Sequence, residues 1–184
     1  MTNQRALFWK NNMNFGAIAG LAIIIVSVLL YFLNIQENTF VAIFIYIVLI
    51  SVIIFGTKHF KNNVQNGNIT YGRALGTGTT ISFFASIIVA FYMFVFLKFI
   101  DSDAMGKMYS IMEDKMYEQG LPDHQIEMTK KFTTPFTIAI GTVFSYTFWG
   151  FIFSLITSAF LKKKSNSYDA AMAEIEKENN EENK

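Results

Sequence analysis

The sequence predicts an all-α membrane protein of four transmembrane helices, with a helical hairpin between the third and fourth. Two observations carry this. Of 184 residues, 52% are apolar and only 16% charged, and the apolar residues gather in four blocks almost free of charge. A span must present hydrocarbon-compatible side chains along its whole length, which is the pattern such clustering gives.

The blocks run from Phe15 to Leu33, Thr39 to Phe55, Gly78 to Leu97 and Phe136 to Leu161. About 20 residues rising about 1.5 Å each cross a hydrocarbon core of about 30 Å, so the second block is short and the fourth is long enough to tilt. Arg5 and Lys10 ahead of the first block imitate a signal peptide. Its apolar run is too long for one and its exit, Leu33-Asn34-Ile35-Gln36, lacks the small residues of a cleavage site, so an anchor is expected.

Basic residues set the expected orientation. Arg5 and Lys10 precede the first span, Lys58, Lys61 and Arg73 lie between the second and third, and Lys162, Lys163 and Lys164 follow the fourth. The first connection has only Glu37, and the lysines of the third are diluted by seven acids. Both termini and the middle loop are therefore expected in the cytoplasm.

In the middle loop Asn66-Gly67 is a turn signal, and Thr70 is the expected N-cap of a helix entering the membrane through Gly72, Gly76 and Gly78. These glycines do not make a phosphate loop, because no Gly-Lys-Ser/Thr follows them. In the loop after the third span, Ser102 or Asp103 is the expected cap of a helix carrying Met105, Met108, Met112 and Met116 on one face. Gly120 ends it, and a shorter helix over 123–132 is expected to turn Ile126 and Phe132 inward. Thr134-Pro135 then bends the chain into the fourth span. The hairpin is expected over 102–133 on the outer mouth of the bundle. The 165–184 tail is expected to be polar, with a helical turn or two over 168–177 and its last residues unfolded.

Chemistry is sparse. With no cysteine there is no thiol nucleophile or thiolate metal site, and a net charge of +1 argues against a nucleic-acid partner. No Asp, Glu, Lys, Arg or His lies inside any block, which disfavours an autonomous proton-coupled carrier. The Met face with His124 nearby resembles a copper site, but Met is the common filler of adaptable apolar surfaces. No triad or metal set emerges, so no enzyme activity and no cofactor is expected.

What the spans do carry is small residues at helical spacing. Gly16 and Gly20 form a GxxxG in the first, Gly78, Ser82 and Ser86 recur every fourth residue in the third, and Gly150, Ser154 and Ser158 do so in the fourth. Gly141 and Ser145 form a partial second row there. These are the expected helix-packing residues. Tyr71 and Arg73 suit anchoring to lipid headgroups at the interface.

Several segments together resemble a known family. They are Gly16 and its small neighbours, Phe55-Gly56-Thr57-Lys58-His59-Phe60, Gly67-Asn68-Ile69-Thr70-Tyr71-Gly72-Arg73-Ala74-Leu75 leading to Gly78, Gly120-Leu121, Lys131-Phe132, Pro135, and Ser154-Leu155-Ile156 running to Lys162-Lys163-Lys164. Over residues 13–164 the chain resembles the bacterial membrane family known as domain of unknown function 4199, found mainly in Bacteroidota. The resemblance implies a four-span protein of the bacterial inner membrane and supplies no catalytic or ligand-binding residue. The expected function is a non-enzymatic accessory or scaffold protein. The alternatives are a small transporter or channel component with Ser82, Ser86, Ser145 and Ser154 along its pore, and a lipid-binding envelope protein with the hairpin as a lid. Membrane lipids are the expected partners, beside a second copy of the chain or another membrane protein.

Overall fold

The structure is a computed structural model that describes residues 2–33, 35 and 39–162; the predicted tail and most of the first connection lie outside the described residues. Six α-helices are described: α1 (Thr2–Phe32), α2 (Thr39–Asn63), α3 (Tyr71–Val95), α4 (Ser102–Glu118), α5 (Asp123–Phe132) and α6 (Pro135–Leu161). A π-helical turn, Phe96–Ile100, extends α3. Four helices are long and apolar enough to cross a membrane, over Gln4–Phe32, Phe40–Asn63, Tyr71–Ile100 and Pro135–Leu161.

Each spanning helix outruns its apolar block. No proline interrupts residues 2–15, so α1 continues through its polar first turns, and α2 carries Lys58, His59 and Lys61 on its last turns. Lysine tolerates such a place because its long stem can carry the ammonium back to water. Lys61 instead donates to the Leu161 carbonyl at 3.0 Å, tying the end of α2 to the end of α6.

Helix α3 is the element on which the bundle is built, packed on α1, α2 and α6. The apolar core joins Ala19 and Ile23 of α1, Leu49 and Ile53 of α2, and Ile81, Ala85 and Val89 of α3. A second cluster at the N-terminal end of the bundle buries Phe60, Ile69 and Ala74. Ile69 thus tucks the middle loop under the bundle. Asn66 (φ 48) and Gly67 (φ 81) make the turn that allows this, both in the left-handed region. Thr70 stands at the N-cap of α3 as expected, with extended backbone, but its side chain makes no capping hydrogen bond.

The hairpin departs from expectation in two places. The cap of α4 is Asp101, ahead of Ser102 and Asp103, because the π-helical turn ends at Ile100 and leaves the Asp101 carboxylate 3.0 Å from the Ala104 amide. Phe132 is exposed rather than inward, while Ile126 is buried as expected. Of the Met face only Met105 is buried, and Met108 is exposed. The face therefore does not cover the bundle along its length; α4 touches it mainly where it leaves the π-helical turn.

The hairpin is closed by its own contacts. Gly120 (φ 73) ends α4, with its amide bonded to the Tyr117 carbonyl and the Leu121 amide to the Met116 carbonyl. That pair is a Schellman motif. Lys130 of α5 pairs with Glu113 of α4 at 2.6 Å, and the Tyr109 hydroxyl donates to the Thr133 carbonyl. Thr134 and Thr137 then form a capping box at the start of α6, with Pro135 in its first turn.

Two of these groups give the hairpin a pH dependence. The hydrogen bond to Glu113 holds the Lys130 amine above its ordinary 10.5, and the hydrogen bond to Asp123 holds the Tyr117 hydroxyl above its ordinary 10.0. Raised values mean a contribution that is complete below the ordinary values and lost as pH climbs through the folded ones. Spin labels at Ser110→Cys and His124→Cys should therefore report a single short α4–α5 distance at pH 8 that broadens above pH 10.5. A distribution unchanged through that range would show that these contacts do not hold the hairpin.

Candidate functional site

The polar groups of the bundle fall in three places, and α3 reaches all of them. The first is the seam between α3 and α6. These helices run antiparallel, and Gly78 faces Ser154 while Ser82 faces Gly150. A methyl group built on Gly78 would overlap the Ser154 hydroxyl, and one built on Gly150 would overlap Ser82. Further along, the hydroxyls of Ser86 and Thr147 lie 3.3 Å apart. Ser82 and Ser86 also donate to the carbonyls of Gly78 (3.0 Å) and Phe83 (2.7 Å) of their own helix.

Across the other face of α3 sits α1. A Cβ on Gly16 would come within 2.5 Å of the Phe84 Cβ, and one on Gly20 within 2.8 Å of the Ile88 Cβ. The structure thus brings Gly16, Gly20, Gly78, Ser82, Gly150 and Ser154 into helix–helix crossings, with Ser86 and Ser158 also buried. The partial row on α6 lies elsewhere: Ser145 is exposed and nothing stands within 4 Å of a Cβ on Gly141. Ser82, Ser86 and Ser154 are shut against neighbouring helices while Ser145 faces outward, so the four do not line a common passage in one chain.

At the N-terminal end lies a polar cluster that sequence reasoning passed over. Asn11 and Asn12 of α1 are buried, as is Thr57 of α2. The Asn11 amide donates to the Asn12 side-chain oxygen (3.1 Å) and to the Gly56 carbonyl (3.3 Å). Its own oxygen is left to accept, and His59 Nδ1 stands 2.8 Å from it, so the imidazole proton belongs on Nδ1. The available signal was an Asn pair just ahead of the first apolar block, where buried polar groups need partners. Tyr71 and Arg73, the expected headgroup anchors, lie at this end. The Tyr71 hydroxyl donates to the Leu155 carbonyl at 3.2 Å and Arg73 donates to the Gln4 side chain at 3.2 Å.

At the hairpin end the four spanning helices part around a cavity of about 220 Å³. Ser27 and Tyr31 of α1, Tyr92 of α3, and Thr142 and Tyr146 of α6 contribute its hydroxyl-bearing side chains. Leu30, Ile45, Val89 and Phe96 are among its apolar walls. Among the described residues, no group of three or more His, Asp or Glu side chains is placed to hold a metal ion.

Four apolar helices closed on small residues, with polar side chains turned inward at both ends, define an α-helical multi-pass membrane protein. The chain belongs to the family described as Protein of unknown function (DUF4199), which it matches over residues 14–163. No curated protein and no solved structure matches it.

The seam yields a reciprocal test. Gly150→Ser alone should destabilise the bundle by about 1–3 kcal/mol through overpacking against Ser82, and adding Ser82→Gly should recover most of the loss. Thermal unfolding in mild detergent reads both. Additive losses in the double variant would mean that the two positions do not meet.

Proposed function

We propose that this protein is a non-enzymatic accessory or scaffold protein of the bacterial inner membrane, with both termini cytoplasmic and the hairpin on the opposite side. The observation that carries the reading is the division of its surface. Only 17% to 28% of the residues in the apolar span windows are fully buried within the chain, so each helix keeps a face for lipid or for another helix. Small residues are spent on internal crossings, and the outer face of α6 presents Phe144, Phe148 and Trp149 beside Gly141 and Ser145. Bulky rings next to a small-residue gap give a partner helix both a ridge and a groove.

The orientation rests on Arg5, Lys10, Lys58, Lys61, Arg73 and Lys162, which gather at the N-terminal end of the bundle, opposite the hairpin. The reading as a transporter or channel component would need an assembly of several chains, since the serines proposed for its pore do not meet a passage within one.

The absence of cysteine makes single-cysteine reporters unambiguous. In intact spheroplasts an impermeant maleimide should label Gly106→Cys in the hairpin and leave Asn62→Cys unlabelled until lysis. In membranes, Ser145→Cys should crosslink to one protein species of defined mass, whereas buried Ser154→Cys should not. Equal labelling of both ends overturns the orientation. Crosslinks to lipid alone, with the chain extracted as a monomer, overturn the scaffold role.

A further inference from the structure

We propose that the cavity at the hairpin end is a binding site for one neutral ring bearing hydrogen-bonding oxygen, of the phenol or quinone class. Size sets the first limit. A cavity of about 150 Å³ holds a benzene ring, so about 220 Å³ takes one substituted ring and not a folded acyl chain with its headgroup.

Chemistry sets the second. Among the described residues no charged side chain lines the cavity, and an ion entering it would lose its hydration without a counter-charge from them. The wall is not purely apolar either. Five hydroxyl-bearing side chains from three helices converge on a space otherwise bounded by aliphatic and aromatic groups. Ser27 and Tyr92 have no hydrogen-bond partner among the described residues, whereas Thr142 is bonded to the Ile138 carbonyl at 2.9 Å. A hydrocarbon guest would leave Ser27 and Tyr92 unpaired, and an oxygen-bearing ring satisfies them. Hydroxyl groups both donate and accept, so they suit a phenol or a quinone carbonyl alike.

Position adds a third constraint. Phe96, one of its walls, opens the π-helical turn whose wide bond runs from the Asp101 amide to the Phe96 carbonyl at 2.9 Å. This wide turn closes the third span, and the chain passes directly from it into α4. Here Phe96 lies edge-on to Tyr31, with ring centroids 5.1 Å apart, and Tyr31 donates to Asp101 at 3.1 Å. Asp101 caps α4 with its other oxygen. Tyr31 is half-exposed at the rim, so the mouth opens beside the root of the hairpin.

The ring has two sources, a membrane-dissolved quinone or a free phenol, and two probes separate them. Full-length protein in lipid nanodiscs is equilibrated with radiolabelled p-cresol, and decylubiquinone and n-decane are used as competitors. Saturable binding of one p-cresol per chain is expected, weakened about 2- to 10-fold by Tyr92→Phe, which removes a single hydroxyl. Thr142→Leu, which fills the cavity, should abolish it. Displacement by decylubiquinone at lower concentration than unlabelled p-cresol assigns the site to a membrane quinone, and the reverse order to a free phenol. Displacement by n-decane as effective as either ring probe overturns the proposal. Unsaturable uptake, or saturable uptake that Tyr92→Phe leaves unchanged, overturns it too, and that variant decides even if Thr142→Leu fails to fold.

Discussion

The close approach of α3 to its neighbours is the constraint from which the rest of this bundle follows. Lipid tails solvate an apolar helix as well as another helix does, so nothing drives helices together until their backbones come near enough for dispersion contacts to accumulate. Gly78, Ser82 and Gly150 on one side of α3, and Gly16 and Gly20 on the other, remove the side chains that would hold the backbones apart. With α3 clamped between α1 and α6, α2 is placed by Ile53 and Gly56 against Ile81 and Phe15. The two ends of the bundle then differ in what fills the remaining space. Asparagine and threonine fill one end, and a cavity edged by tyrosines occupies the other.

How much of this was legible in the sequence depends on the range of the interaction. Four helices followed from hydropathy, because each span must satisfy its own backbone and meet lipid along its length. The left-handed Gly120 followed from local turn chemistry, and so did the Asn66-Gly67 turn. The periodicity of small residues named Gly78 and Gly150 as residues of one kind, but not that Gly150 meets Ser82, since pairing across helices is a tertiary fact.

The departures have physical causes of the same sort. Asp101 displaced the expected cap because a π-helical turn, which leaves no mark in residue type, moved the end of the third span. Phe132 stayed exposed because periodicity shows that a face exists and not what covers it. The Asn11–His59 contact joins residues 48 apart, and no local pattern announces it. The cavity was equally invisible, since it is made of residues from four helices that look like ordinary span residues one at a time.

The alternation along the seam also acts as a code for alignment. Gly78 with Ser154 and Ser82 with Gly150 put one large and one small partner at each level. Sliding α6 by four residues, about 6 Å, in one direction would set Ser82 against Ser154, two side chains in space meant for one. The same slip the other way would set Gly78 against Gly150 and leave a gap with no atoms to fill it. A seam of glycine alone would tolerate either slip. This one penalises both, so two serines fix where the last helix stops along the third, and with it the depth at which Thr142 and Tyr146 face Tyr92.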